Sequence, residues 1–230
     1  MPIRTVAETG STNDDLAALA AAGEAEGLWL RAERQHGGRG RQGRAWSSPA
    51  GNLHASTLVR LRTADHPAPS LALVAAVALH EAASAWAPAA GILIKWPNDL
   101  LAGNAKLAGI LLERAGDSVV IGFGANLAHH PEGLDRPVTS LAALTGSAPE
   151  PGSFAEQLAE SFARYLALWR GSGIAAIRGA WLDRAHPLGT ALTTPEGEGL
   201  FSGLDESGAL RLRLPHGETR LIHAGDVFLI

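Results

Sequence analysis

The stretch "LLAGNAKLAGILLERAGDSVVIGFGANL", Leu100 to Leu127, settles the architecture. Gly103-Asn104 is turn chemistry, and the apolar runs on either side of it fold back as a β-hairpin. "SVVIGFGANL" (118–127) continues as the next strand. Working outward, "GILIKW" (91–96) is a strand that Pro97 and the turn residues Asn98-Asp99 end. Residues 70–87 form the longest apolar helix. Further back, "LWLRAE" (28–33) and "NLHASTLVRL" (52–61) alternate as strands on either side of a glycine-arginine loop. "STNDDLAALAAAG" (11–23) opens on N-cap residues and closes on a glycine, as a short helix does. Two more helices are expected near 153–169 and 173–183. From about Ala185 short strands alternate with turns at Glu196–Gly199, Asp205–Gly208 and Pro215–Gly217, the pattern of a small antiparallel barrel or sheet. The expected fold is α+β, with a mixed or antiparallel central sheet carrying helices over residues 1–184. A small C-terminal β-barrel follows over 185–230.

Composition narrows the function classes. A formal net charge of −4 argues against a general nucleic-acid binder, which would carry a basic domain. The absence of cysteine removes disulfides, thiolate metal sites and cysteine nucleophiles, and fits a reducing compartment. The run "SLALVAAVALHEAASAWA" is too short, and too interrupted by His80 and Glu81, to span a bilayer. "MPIRTVAETGSTNDD" lacks the apolar core of a secretory signal, so a cytoplasmic protein is expected. Lysine occurs only at Lys95 and Lys106; every other basic residue is arginine. A compact ammonium and a planar fork do different work at a crowded site.

The loop "QHGGRGRQGRAW" (35–46) contains Gly38-x-Gly40-x-x-Gly43, a formal dinucleotide fingerprint. "RAWSSPAGN" after it cannot open the helix that would hold a pyrophosphate, so that reading fails. Three arginines on glycine hinges instead suit a mobile segment closing on an anion, or an RNA-touching loop. In "GSTNDD", Ser11 with Asp14, or Thr12 with Asp15, makes a capping box, and the same residues could hold a small polar ring. Lys106, if it points inward, needs an anion: Asp99 in a salt bridge, or a ligand phosphate. The histidines show no metal-ligand spacing.

In order along the chain, "STN" (11–13), "GRGRQGRAW" (38–46), "KWPNDL" (95–100), "KLAGILLE" (106–113) and "GFGAN" (122–126) resemble a biotin–protein ligase, over essentially the full length. The resemblance implies a catalytic fold like that of class II aminoacyl-tRNA synthetases and biotin–lipoate ligases, followed by an SH3-like barrel. It implies biotin contacts from Ser11, Thr12, Asn13, Gln35, Gly38, Arg39, Gly40, Arg41, Lys106, Gly109 and Gly122. ATP or adenylate contacts would come from Arg41, Arg44, Trp46, Asn98, Lys106 and Asn126. Lys106, Arg39 and Arg41 would be the catalytic cations. Gln42 stands where a further arginine is common, and Ala125 replaces a larger aliphatic residue.

Such an enzyme uses ATP and Mg²⁺ to convert biotin to biotinyl-5′-AMP, then acylates a lysine of a biotin carboxyl carrier protein. The arginine loop would act as a lid that keeps water from the mixed anhydride. The sequence designates no Mg²⁺ ligand, and Asp99 is a general-base candidate by position alone. With "STN" at residue 11 there is no room for a preceding helix-turn-helix, so no DNA binding is expected; strands of the sheet could pair in a homodimer. A lipoate or octanoate ligase of the same fold is the alternative.

Overall fold

The computed structural model describes residues 2–230. Its first sheet has seven strands in the order β1-β2-β3-β7-β6-β5-β4. These are β1 (Ile3–Thr9), β2 (Trp29–Gln35), β3 (Leu53–Arg60), β4 (Ile92–Lys95), β5 (Asp99–Ala102), β6 (Ala105–Ala115) and β7 (Ser118–Ala125). Only β1 and β2 run parallel, joined through helix α1 (Thr12–Ala21); every other neighbour is antiparallel. The β5–β6 hairpin turns at Gly103-Asn104 as the sequence requires, and β4 ends before Pro97. The strand β1 and the short helix α3 (Leu141–Thr145) had no sequence expectation. The first carries mostly exposed side chains on a sheet edge, and the second is barely more than a turn.

Both faces of the sheet are covered, which is why β3 is buried along nearly its whole length rather than alternating. Leu58 and Val120 pack with Leu16 and Ala20 of α1 on one face. On the other, α2 (Leu71–Trp86) and α4 (Pro151–Ser172) lie against the sheet, with α5 (Ile174–Leu182) beside them. Trp29 stacks on Phe123 at 5.3 Å between centroids, and Phe162 meets both rings edge-on. The 19 residues Ala68–Trp86 are long and apolar enough to cross a membrane by length and composition alone. Here Leu71, Leu73 to Leu79, Ala82 and Ala83 are buried in the protein core instead.

The second sheet is antiparallel, in the order β11-β10-β9-β8-β12. Its strands are β8 (Ala191–Thr194), β9 (Gly197–Leu204), β10 (Leu210–Arg213), β11 (Thr219–Ile222) and β12 (Phe228–Leu229). The β8–β9 turn falls at Pro195-Glu196, earlier than expected, because Gly197 itself pairs with Thr194. Its apolar face is continuous with the main core: Phe201 meets Trp181 edge-on at 6.2 Å. A polar bond adds to the join, Trp96 Nε1 donating to the Gly208 carbonyl at 3.1 Å.

Candidate active site

A cavity open to solvent lies where β6 and β7 present glycines to the arginine loop. Gly109 of β6 pairs with Gly124 of β7, and Leu111 with Gly122. Gly122 and Gly124 make room for a side chain from another element, and Gly109 for Lys106 of its own strand. A Cβ on Gly122 would overlap the Asn13 amide. One on Gly124 would come 2.6 Å from the Trp46 indole, and one on Gly109 would come 3.2 Å from Lys106 Nζ. The missing side chains therefore let α1 and the arginine loop approach the patch of sheet that carries Lys106.

The polar end of the cavity is a connected network. Gln35 Oε1 accepts from the Thr12 amide at 2.8 Å and from Thr12 Oγ1 at 3.0 Å. Thr12 Oγ1 and Ser56 Oγ are 2.7 Å apart, Ser56 donates to Asn13 Oδ1 at 2.6 Å, and Asn13 Nδ2 donates to Glu113 at 2.6 Å. Ser11 caps α1, accepting from the Asp14 amide, but the capping box is not completed. The Asp14 carboxylate instead takes both arms of Arg39, at 2.7 and 2.5 Å, and that contact holds its pKa below the usual aspartate value. Ser56, Glu113 and Asp14 carried no sequence signal for this role, since each is an ordinary residue within a strand or a helix start.

The arginine loop is folded rather than formless. Trp46 N donates to the Gly38 carbonyl at 2.9 Å and Gly40 N to the Arg44 carbonyl at 2.7 Å, with an isolated bridge between Arg39 and Ala45. Its turn has positive φ at Gln42 (58°) and Gly43 (71°), the signature of a tight mirror-image hairpin turn. Gln42 accepts from Arg44 through its side chain. Gly38 does not line the cavity: a Cβ there would lie 2.7 Å from the Trp46 carbonyl and 2.6 Å from Ser48 Oγ, so it lets the hairpin close.

The loop arginines reach across to the second sheet. Arg41 donates to the Gly225 carbonyl at 3.0 Å, and Arg44 grips both carboxylate oxygens of Asp226 at 2.8 and 2.7 Å. Arg41 also approaches Asn98 Oδ1 at 3.4 Å. Beneath them Asp99 sits between two ammonium groups, Lys106 at 2.6 Å and Lys95 at 3.6 Å. Burial lowers the Lys106 pKa, and Asp99 opposes that shift. Lys106 also lies 5.5 Å from the centre of the Trp46 ring. Held by two cations, Asp99 anchors Lys106 rather than standing free as a base.

Of the residues singled out in the sequence, Ser11, Thr12, Asn13, Gln35, Arg39, Gly40, Arg41, Arg44, Trp46, Asn98, Lys106, Gly109 and Gly122 all line this cavity. Asn126 does not. It donates to the Thr139 carbonyl at 2.9 Å and faces an adjoining cleft shared with Trp46, Lys106 and Arg136. Lys95, Arg136 and the Asp226–Phe228 strip complete the main wall. The strip was illegible in the sequence because it reaches the cavity only once the second sheet has docked.

Known proteins share this fold. Residues 10–126 match the Biotin/lipoate A/B protein ligase family, and residues 190–230 match the biotin protein ligase C terminal domain. A biotin–[acetyl-CoA-carboxylase] ligase from Paracoccus denitrificans is 42% identical over 97% of this chain and 98% of its own. One of the same name from Mycobacterium tuberculosis is 36% identical over 96% of this chain and 86% of its own. The structure of the biotin protein ligase from Aquifex aeolicus in complex with biotin and ATP superposes with a TM-score of 0.88. That match has 26% identity and covers 99% of this chain and 98% of the other. The chain therefore belongs to the biotin/lipoate A/B protein ligase family and is a ligase of its biotin protein ligase branch.

Proposed function

We propose that this ligase activates biotin with ATP to biotinyl-5′-AMP and transfers the biotinyl group to a lysine of a biotin carboxyl carrier domain. The observation that carries the reading is the polarity of the cavity, with the hydrogen-bonding side chains and Arg39 at one end and Lys106, Arg41 and Asn98 at the other. The ring of biotin, with its urea donors and acceptor, would meet Ser11, Thr12, Asn13 and Gln35. Its chain would run over the glycine floor at Gly109 and Gly122, under Arg39 and Gly40. The carboxylate would then lie by Lys106, Arg39 and Arg41. A carboxylate oxygen attacks the α-phosphorus of ATP and pyrophosphate leaves, with those cations offsetting the charge that gathers on the phosphoryl oxygens. Arg41, Arg44, Trp46, Asn98 and Lys106 would hold the nucleotide, and Asn126 would border its base from the adjoining cleft. In the second step the neutral amine of the acceptor lysine attacks the acyl carbon and AMP departs.

Mg²⁺ would enter with the nucleotide. Among the described residues no three acidic or histidine side chains cluster, and both cavity carboxylates, Asp99 and Asp226, are already paired with cations. The phosphates and water would therefore carry the ion. We further propose that residues 1–184 form the catalytic domain and 185–230 the appended one, and that the protein acts in the cytoplasm without reading DNA. The open edge of β1 offers a second copy a strand to pair with in a homodimer.

The lipoate or octanoate alternative would set an apolar acyl end against the network from Thr12 to Glu113, leaving polar groups without a matching ligand. Incubating the protein with α-labelled ATP, MgCl₂ and each acid separates the two. Biotinyl-adenylate that is consumed when a carrier domain is added supports the proposal. Adenylate formed only with lipoate or octanoate overturns it.

A further inference from the structure

Six cations line the main cavity, Arg39, Arg41, Arg44, Lys95, Lys106 and Arg136, in a chain whose net charge is −4. Five of them already have a carboxylate within reach: Arg39 has Asp14 and Glu113, Arg41 and Arg44 share Asp226, and the two lysines share Asp99. Arg136 has neither an ion pair nor a side-chain hydrogen bond among the described residues. It lines both the main cavity and the adjoining cleft, where the two meet at Lys106 and Trp46.

The backbone that follows it is held against β6, and Arg136 itself is exposed. Lys106 N donates to the Pro137 carbonyl at 2.9 Å and Thr139 N donates to the Lys106 carbonyl at 2.9 Å, a parallel bridge centred on Lys106 and Val138. Asn126 ties the same segment down through the Thr139 carbonyl. The chain thus straps Arg136 beside a second cation, an unfavourable placement: its charge, after burial, helps disfavour the Lys106 ammonium. An anion lying between the two would reverse the sign of that interaction.

We propose that Arg136 is a nucleotide-phosphate ligand, its forked guanidinium binding oxygens of the ATP phosphate chain opposite Lys106. The inference rests on the adenylation reading above and adds a residue to it. Because Arg136 meets the phosphates at the solvent edge, removing it weakens nucleotide binding without disturbing the polar network that would hold the acid.

The test compares wild type, Arg136→Ala and Arg136→Lys. ATP KM in biotin-dependent pyrophosphate exchange should rise about tenfold or more in Arg136→Ala, the loss expected for a charge-assisted hydrogen bond. Arg136→Lys, which keeps the charge but not the fork, should recover part of it. Biotin affinity measured without nucleotide should stay unchanged in both. An unchanged ATP KM in Arg136→Ala overturns the proposal. So does an equal loss of biotin affinity, which would mean a purely structural role. Calorimetric binding of a non-hydrolysable ATP analogue, without any acid, keeps the two readings apart. If wild type forms adenylate with lipoate rather than biotin, the analogue still weakens in Arg136→Ala and only the choice of acid falls.

Discussion

Lys106 combines burial, one short ion pair and an aromatic neighbour, and each bears on its charge. Burial lowers its pKa below the ordinary 10.5 while Asp99, 2.6 Å away, holds it up. Adenylation that needs the ammonium should decline as pH rises through that lowered value, earlier than an exposed lysine would dictate. Stability moves the other way: between the folded pKa and 10.5 the unfolded chain binds more protons, so stability rises with pH across that window. A pH–rate profile of adenylation, with melts of wild type and Lys106→Met side by side, checks both signs. In Lys106→Met the rate should fall by about a hundredfold or more, and the alkaline rise in stability should vanish. Gly122 is decided by space alone. In Gly122→Ala the new methyl overlaps the Asn13 amide, which Ser56 and Glu113 hold in place. Overpacking of this kind costs about 1–3 kcal/mol. We expect biotin affinity to drop at least about tenfold while the far-ultraviolet circular dichroism spectrum is retained; unaltered affinity would remove Asn13 and Gly122 from the binding surface.

At the scale of elements, the arginine hairpin of residues 38–46 depends on a partner more than 180 residues away in the chain. Arg44 and Arg41 dock on Asp226 and the Gly225 carbonyl, so the second sheet holds the hairpin over the cavity. The pair is part-exposed and should contribute about 1 kcal/mol or less. In Asp226→Ala the open hairpin would then be up to about fivefold more populated. Limited trypsin digestion without ligand should cut after Arg41 or Arg44 correspondingly faster, since cleavage follows the open population. Equal cleavage rates would show that the hairpin's own hydrogen bonds suffice to close it.

Across the whole molecule, Arg170 of α4 links three segments distant in sequence. It bonds Glu26 at 2.6 and 2.8 Å, Asp65 at 3.2 Å and the Arg60 carbonyl at 3.0 Å, at the end of β3 remote from β7's glycines. That contact with Arg170 is the largest cause of the lowered Glu26 pKa. A carboxylate with a depressed folded pKa adds stability above its unfolded value of 4.5, and the contribution is lost as pH falls through the folded pKa. Arg170→Ala should therefore destabilise the protein by about 2–3 kcal/mol at neutral pH, because Glu26 and Asp65 lose their partner while part-buried. The gap between the two melting curves should narrow as the solution is acidified. A gap independent of pH would assign the loss to packing instead.

Local signals determined much of this protein. The Gly103-Asn104 turn, the cap at Ser11 and the apolar period of α2 act over a few residues, so the elements were legible from the sequence, edge strand β1 and short α3 apart. The five short motifs, through their resemblance to a biotin–protein ligase, likewise marked most of the cavity lining. What the sequence left open were matters of distance. It did not show that Gly38 serves hairpin closure, that Asn126 turns to the adjoining cleft, or that Asp226 closes on the arginine loop. Nor did it show that Asp99 is shared by both lysines, or that Arg136 alone lacks a carboxylate among the cavity cations. Charge and shape complementarity between remote segments has no periodicity to read, and it exists only after the two sheets pack on one core.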